Sequence, residues 1–432
     1  MDKIKKRVLI ITYYWPPSGG PGVQRCLYFV KYLRDFGWEP IVYTVDQGEF
    51  PYLDHSLEKQ IPEGVKIIRQ KAWEPFRLYK KLMGIPESEK LKPNVIVEKS
   101  NKPWFQKLAT FVRGNVFVPD ARMFWIKPSV KFLIQYLKEN PVDAIMSSSP
   151  PHSVQMIGYY LKMKTNLPWL VDLRDPWTKI FFWDKLKMTD YSKKRNAEME
   201  RKVLQTADVV CTVSRSCAKD FELLSRRSIE VITNGYDELY STNQSSQGNE
   251  IVMAYGGTLS GDRNPEQLWI AIKQVLDANP ELEKKFKIQF IGAIDNFVFE
   301  SIKDAGLFDR LEHLQAISHD EYLQLIGKAN ILLLIGARND PGVITGKFFE
   351  YLALKKPILC ISPNGSDLEI ILKKTKSGLN VDFEDKEGMV KAFNTMQDLI
   401  QSPQQFAPIV SEIEQYSRRN LTKKLADCLD KM

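Results

Sequence analysis

The residues of this 432-residue chain that could do chemistry gather where short apolar runs end in glycine-rich turns. In Pro341-Gly-Val-Ile-Thr-Gly-Lys-Phe348, Thr345 and Gly346 open a helix, Lys347 enters its first turn, and Glu350 follows on the same face. A diphosphate suits the N–H groups of that turn and the Lys347 ammonium, with Glu350 accepting hydrogen bonds from ribose hydroxyls one turn deeper. A capped surface helix with a Lys–Glu pair would use the same residues. An ATP-hydrolysing phosphate loop is disfavoured: three residues, not four, separate Gly342 from Gly346, and Phe348 stands where a magnesium-binding hydroxyl is needed.

Two further turns are of this kind. Gly256-Gly-Thr-Leu-Ser-Gly-Asp-Arg263 sets Arg263 beside a helix opened by Pro265, where a guanidinium can span two phosphate oxygens or simply be solvated. The stretch from Tyr13 to Arg25 carries Gly19, Gly20 and Gly22, which let backbone N–H groups approach an anion. Its match to a dinucleotide fingerprint is incomplete, because Arg25 follows and no acidic residue closes the next strand; a plain tight turn is the alternative. His152 stands after an apolar strand at a helix start, where it could hydrogen-bond a sugar or be structural. Asp172, Arg174 and Asp175 follow another strand and could orient hydroxyls, or form an internal Asp–Arg–Asp network. No Asp-x-Asp and no His/Asp/Glu cluster at ligand spacing occurs, so no metal is expected, and Arg263, Lys347 and two helix N-termini are left to stabilise a leaving diphosphate.

The elements that must hold these residues alternate along the chain. Apolar runs at 8–12, 40–45, 65–69, 144–149, 170–173, 209–213 and 229–233 are separated by amphipathic stretches, and the pattern restarts at 251–255, 287–291, 313–316, 331–335, 358–361 and 379–381. Such alternation gives parallel sheets flanked by helices, with ligands at the strands' carboxyl ends. Polar residues 241–249 read as a linker. Residues 404–432 have helical spacing, with Ile409, Ile413, Tyr416 and Leu421 near one stripe.

Composition is that of a folded globular protein rather than a disordered, collagenous or coiled-coil one: 44% hydrophobic and 26% charged residues. Five scattered Cys without C-x-x-C spacing suit a reducing cytosol. The run 8–11 is too short for a signal segment, and no stretch is long and apolar enough to span a bilayer. Residues 1–240 hold 39 Lys+Arg against 27 Asp+Glu, whereas 241–432 hold 22 against 26. The basic half has aromatic neighbours at 73–81, 104–113 and 180–187, which suggests peripheral contact with an anionic membrane; a solvated basic face is the alternative. No nucleic-acid-binding signature is present.

Taken in order, the Tyr-Tyr-Trp-Pro-Pro-Ser-Gly-Gly opening, Asp172-Leu-Arg-Asp-Pro-Trp177, Thr212-Val-Ser214, Ile232-Thr-Asn-Gly-Tyr-Asp237, the Gly257-Thr-Leu turn and Lys347-Phe-Phe-Glu-Tyr-Leu-Ala353 before Pro357-Ile-Leu resemble the retaining GT-B glycosyltransferases of family 4, in its bacterial surface-polysaccharide branch. The resemblance covers nearly the whole chain. It implies two Rossmann-like doubly wound α/β domains facing a cleft: 1–240 for the acceptor, linker 241–249, 250–403 for the nucleotide sugar, and a helical segment 404–432 returning to the first domain. It further implies a cytoplasmic, metal-independent transfer from a nucleotide-diphosphate sugar to a glycan or lipid-linked acceptor, with no cofactor beyond that donor. His152, Arg263 and Lys347 would act in catalysis, while Gly19, Gly20, Gly22, Asp172, Arg174, Gly257, Thr258, Asp340, Thr345, Gly346 and Glu350 would bind substrates. Glu350 matches the second Glu of the family's E-x7-E motif and Arg263 its diphosphate-binding Lys. Thr258 replaces the usual phosphate-binding Arg, and Gly342 replaces the first Glu, with Asp340 as a displaced carboxylate. A catalytically silent nucleotide-sugar binder and a nucleotide-sugar epimerase of the same fold are the rival readings.

Overall fold

The computed structural model describes residues 6–50, 52–74, 103–180, 183, 186–237, 250–315 and 317–432. The expected linker at 241–249 lies outside the described residues, as do 75–81 of one aromatic-basic stretch and four residues of the 180–187 stretch. The chain forms two compact units, one running to Thr233 and taking in Arg418–Met432, the other Asn234–Ser417. The sequence reading placed these divisions at 240 and 404.

In the first unit, β1 (Lys6–Thr12), β2 (Trp38–Asp46), β3 (Lys66–Lys71), β4 (Ala144–Ser149), β5 (Trp169–Leu173), β6 (Val209–Thr212) and β7 (Glu230–Val231) form a parallel sheet in the order β3-β2-β1-β4-β5-β6-β7. Val8, Leu9, Ile10 and Ile11 are all fully buried, as continuous apolar runs require when helices cover both faces. One face is closed by the helices Met123–Glu139 and Ser153–Thr165, where Trp125 stacks on Tyr43 at 5.4 Å. The other is closed by Pro21–Tyr32, which has Pro in its first turn, and by the final helix Arg418–Asp430.

The second unit repeats the plan with β8 (Ile251–Gly256), β9 (Phe286–Ile291), β10 (Leu311–Leu314), β11 (Ile331–Ile335), β12 (Ile358–Ile361) and β13 (Gly378–Val381), in the order β10-β9-β8-β11-β12-β13. Both sheets are doubly wound, so each has a switch point where successive connections leave in opposite directions: between β1 and β4, and between β8 and β11. Every strand expected from the sequence forms, its ends displaced by at most two residues.

The tail departs from expectation. No single stripe forms over 409–421, because the helix Val410–Glu414 stops and a new one starts at Arg418. At this break the Tyr236 hydroxyl donates to the Ile413 carbonyl (3.1 Å) and its N–H donates to the Tyr416 carbonyl (3.2 Å). The Ile413 carbonyl also accepts the Tyr416 N–H (2.9 Å), so the helix closes in a single turn at this point. Ile413 and Tyr416 pack in the second unit, and Leu421, Leu425 and Leu429 in the first. Among the described residues no helix is long and apolar enough to cross a membrane.

Candidate functional site

At the switch point of the second sheet, β8 meets the helix Gly346–Leu354. Its Phe348, Phe349, Tyr351, Leu352, Ala353 and Leu354 are buried, leaving Lys347 and Glu350 as its only charged residues. β8 ends in a turn at Gly257 with φ +101°, a conformation that costs glycine little, and a β-carbon there would collide with the Lys347 ammonium. Lys347 lies folded onto this turn. Its Nζ donates to the Gly256 carbonyl (2.5 Å) and sits 4.9 Å from the Tyr255 ring centre. One turn on, the Tyr351 hydroxyl accepts the Gly256 N–H (3.2 Å), so both backbone groups of Gly256 are tied to this helix.

Electrostatics at this point favour an incoming anion. Burial first, and then the neighbouring Arg263 guanidinium, pull the Lys347 ammonium down to a pKa of about 8, with Glu350 opposing. Arg263 stands in the short turn Gly261–Arg263, where its N–H donates to the Ser260 carbonyl (3.0 Å) while its guanidinium forms no hydrogen bond or ion pair among the described residues. Two cations close enough to repel, with one uncommitted, are stabilised by a negative ligand. The helix start is also open: Thr345 at the N-cap supplies no side-chain cap, its Oγ1 is buried without a partner, and a β-carbon on Gly346 would meet nothing within 4 Å. The first N–H groups and the positive end of the helix therefore remain available to phosphate oxygens.

Glu350 is held from a direction the sequence did not reveal. Its Oε1 lies 3.1 Å from Nε2 of His319, the first residue of the helix His319–Ile326. The connection from β10 to β11 must cross over β9 and β8, which brings this helix start to the carboxyl edge of β8. Three residues on, the Tyr322 ring lies against Gly256, where a side chain would not fit. Thr258 is exposed, and its carbonyl accepts the Tyr255 hydroxyl (3.0 Å). Asp340 uses one carboxylate oxygen to accept the Gly342 N–H (3.1 Å), closing its own turn.

The first unit brings its expected residues together differently. Gly20 caps the helix Pro21–Tyr32 with φ +109°, Gly19 donates its N–H to the Tyr52 carbonyl (3.0 Å), and Gly22 lies under the Arg174 guanidinium. Arg174 in turn donates to the carbonyls of Ser149 (2.9 Å) and Pro150 (3.0 Å). Asp172 requires a correction: it does not project toward a ligand. It is wholly buried and accepts from Arg25 Nη2 (2.8 Å), Arg25 Nε (3.0 Å) and the Ser148 hydroxyl (2.7 Å). Arg25, which seemed only to spoil a dinucleotide fingerprint, is its counter-ion. Its position between apolar Val23, Cys26 and Leu27 on a buried helix is the one sequence signal of that role. His152 is 8% exposed and stacks on Trp177 at 4.5 Å with rings 5° from parallel. Burial, reinforced by Arg174 against Asp120, draws its pKa down to about 4. It is a neutral group at physiological pH.

Among the described residues no three His, Cys, Asp or Glu side chains are grouped to hold a metal ion. No protein-family profile and no curated protein matches the chain. Solved structures do. A glycosyltransferase from Rickettsia africae ESF-5 is similar with a TM-score of 0.63 over 99% of this chain and 98% of its own, at 15% identity. Sucrose-phosphate synthase from Thermosynechococcus elongatus gives 0.59 over 99% of both chains at 14% identity. Anabaena HepE, solved in complex with UDP-glucose, gives 0.56 over 99% of this chain and 100% of its own at 13% identity. At such identities the likeness is one of fold, and the shared fold is the pair of Rossmann-like α/β domains of the GT-B class.

Proposed function

We propose that this chain is a glycosyltransferase that moves a sugar from a nucleotide-diphosphate donor to a glycan or lipid-linked acceptor, with retention and without a metal, in the manner of GT-B family 4. The observation that carries the reading is the open start of the helix Gly346–Leu354, with Lys347 in its first turn and Glu350 one turn deeper at the switch point of the second sheet. The β- and α-phosphates take the helix N–H groups, Lys347 and Arg263; Glu350 takes the ribose hydroxyls; Gly257 lets the backbone approach closely. As the anomeric carbon–oxygen bond breaks, negative charge grows on the leaving phosphate, where fixed positive groups lower the barrier most. In a front-side transfer the leaving phosphate itself takes the acceptor proton, so no separate base is required. Asp340 and Thr258 border the donor sugar in this reading, and Gly19, Gly20, Gly22, Arg174 and His152 belong to the acceptor side. A cytoplasmic enzyme in peripheral contact with an anionic membrane suits the basic first half.

A thermal-shift screen of nucleotide sugars tests the donor assignment. A true donor at 100 times its Kd adds about 2.7 kcal/mol to the folded state, and a complete panel with no shift refutes the reading. NMR of the product's anomeric configuration then tests retention. Gly342 in place of the motif's first Glu favours one rival, a silent nucleotide-sugar binder; binding without turnover for any acceptor would select it.

His319 supplies a finer check. With its hydrogen bond to Glu350 lost, His319→Ala should weaken nucleoside diphosphate binding by about tenfold, one hydrogen bond to a charged group. Pyrophosphate, which has no ribose, should bind both proteins alike in calorimetry. Equal losses for the two ligands would show that His319 acts on the fold instead.

A further inference from the structure

The first unit has a partly open cavity of about 300 Å³, lined by none of the residues proposed above to hold the donor's phosphates. It lies at the switch point of that sheet: Tyr14 follows β1, and Pro150 and His152 follow β4. Ligands of doubly wound sheets bind at this place, in pockets of this size.

Its walls are mainly apolar, built from Phe117, Pro119, Pro151, Trp177, Trp183 and Met188. The polar groups around it are for the most part engaged. Asp120 accepts both the N–H and the hydroxyl of Ser153, each at 2.8 Å. Asn196 accepts the Trp177 indole N–H and donates to the Ser192 carbonyl, each at 3.0 Å. Arg113 and Arg122 share the lining with Glu49, Asp120 and Asp175, so two guanidiniums meet three carboxylates and no cationic surplus remains for a phosphate. Among the remaining polar side chains, two can read a ligand. His152 lines the cavity as a largely buried, uncharged ring with no side-chain hydrogen bond among the described residues, and Asp175 is exposed with no hydrogen bond or ion pair among them.

We propose that this cavity binds a neutral amphiphile, an apolar group filling it while a hydroxyl beside that group hydrogen-bonds His152 and Asp175. That the amphiphile is the sugar acceptor rests on the proposed function; the binding itself does not. An apolar wall with two adjacent polar readers selects a molecule by its hydrocarbon or ring first and by one hydroxyl second. Free glucose, all polar, gains little there.

The test titrates the full chain with glucose, hexyl β-glucoside and octyl β-glucoside below micelle-forming concentrations, followed by tryptophan fluorescence and calorimetry. Each buried methylene tightens binding about fourfold, so the octyl compound should bind one-to-one and at least tenfold tighter than the hexyl, with no saturation by glucose in that range. Octyl phosphate should bind no tighter than octyl glucoside. Trp183→Ala should weaken the octyl glucoside by about tenfold, Trp183→Phe should retain most of it, and Asp175→Asn should cost several-fold. Chain-length independence, a preference for the phosphate, or unchanged binding in Trp183→Ala with intact circular dichroism each overturns the assignment. UDP-sugar binding in the same samples separates the two readings: alkyl glucoside binding without any nucleotide-sugar binding would leave the cavity assigned and the donor reading refuted.

Discussion

Lys347→Ala should lower kcat for sugar transfer by about 10²–10³-fold, the loss seen when one preorganised charge partner is taken from a developing anion. Steady-state kinetics with the donor found in the screen would measure it, and a loss under threefold would remove Lys347 from the chemistry. The pH dependence follows from the same residue. Burial, then Arg263, set its pKa near 8, so kcat/KM should fall as pH rises through about 8 and the ammonium is lost. In Arg263→Ala that limb should move to higher pH, since one depressing charge is gone, even as the overall rate drops. For the free fold the sign is opposite. Lys347 titrates below its unfolded value of 10.5, so between about 8 and 10.5 the unfolded chain holds more protons, and this group's contribution to stability rises with pH. An ammonium that weakens the empty protein and serves the bound state is the usual exchange of stability for function.

Asp172→Ala should be the most damaging single change to the first unit. It would leave the Arg25 guanidinium, on a residue 6% exposed, without its carboxylate. Removing one partner of a buried pair costs about 3–5 kcal/mol, which for a unit of this size lowers Tm by roughly 6–20 °C. Calorimetry would register it, and the double variant Arg25→Met/Asp172→Leu should recover much of the loss. If Asp172 instead held a substrate hydroxyl, Tm would scarcely change and acceptor KM would rise. Acid should act in the same direction as the mutation. Burial alone would raise the Asp172 pKa, but the charge and hydrogen bonds of Arg25, with the Ser148 hydroxyl, bring it below 3.8. The pair's stabilisation is therefore complete above the unfolded value of 3.8 and is lost as pH falls through the lower folded one.

The strands were legible because buried parallel strands need unbroken apolar runs, such as Val8 to Ile11 and Ile331 to Ile335, and glycine-rich turns mark their carboxyl ends. The placement of Lys347, Glu350 and Arg263 at a turn and a helix that follow strands was legible for a related reason, since the glycine-rich turns mark where those strands end. What stayed hidden was side-chain partnership across long sequence separations. Asp172 and Arg25 are 147 residues apart, and His319 and Glu350 are 31 apart. Apolar periodicity records burial, not which charge a buried charge meets. The interrupted tail was hidden likewise, because the break is met by hydrogen bonds from Tyr236, far away in the chain.

The return of the chain to the first unit fixes an order of events during synthesis. Leu421, Leu425 and Leu429 pack in one cluster with Val8, Val30 and Leu33, so a ribosome must have passed the whole second unit before that face is covered. The second unit, complete at Ser417, has all its strands earlier. The half of the polypeptide made first is thus the half finished last, holding a greasy groove in readiness while its successor folds.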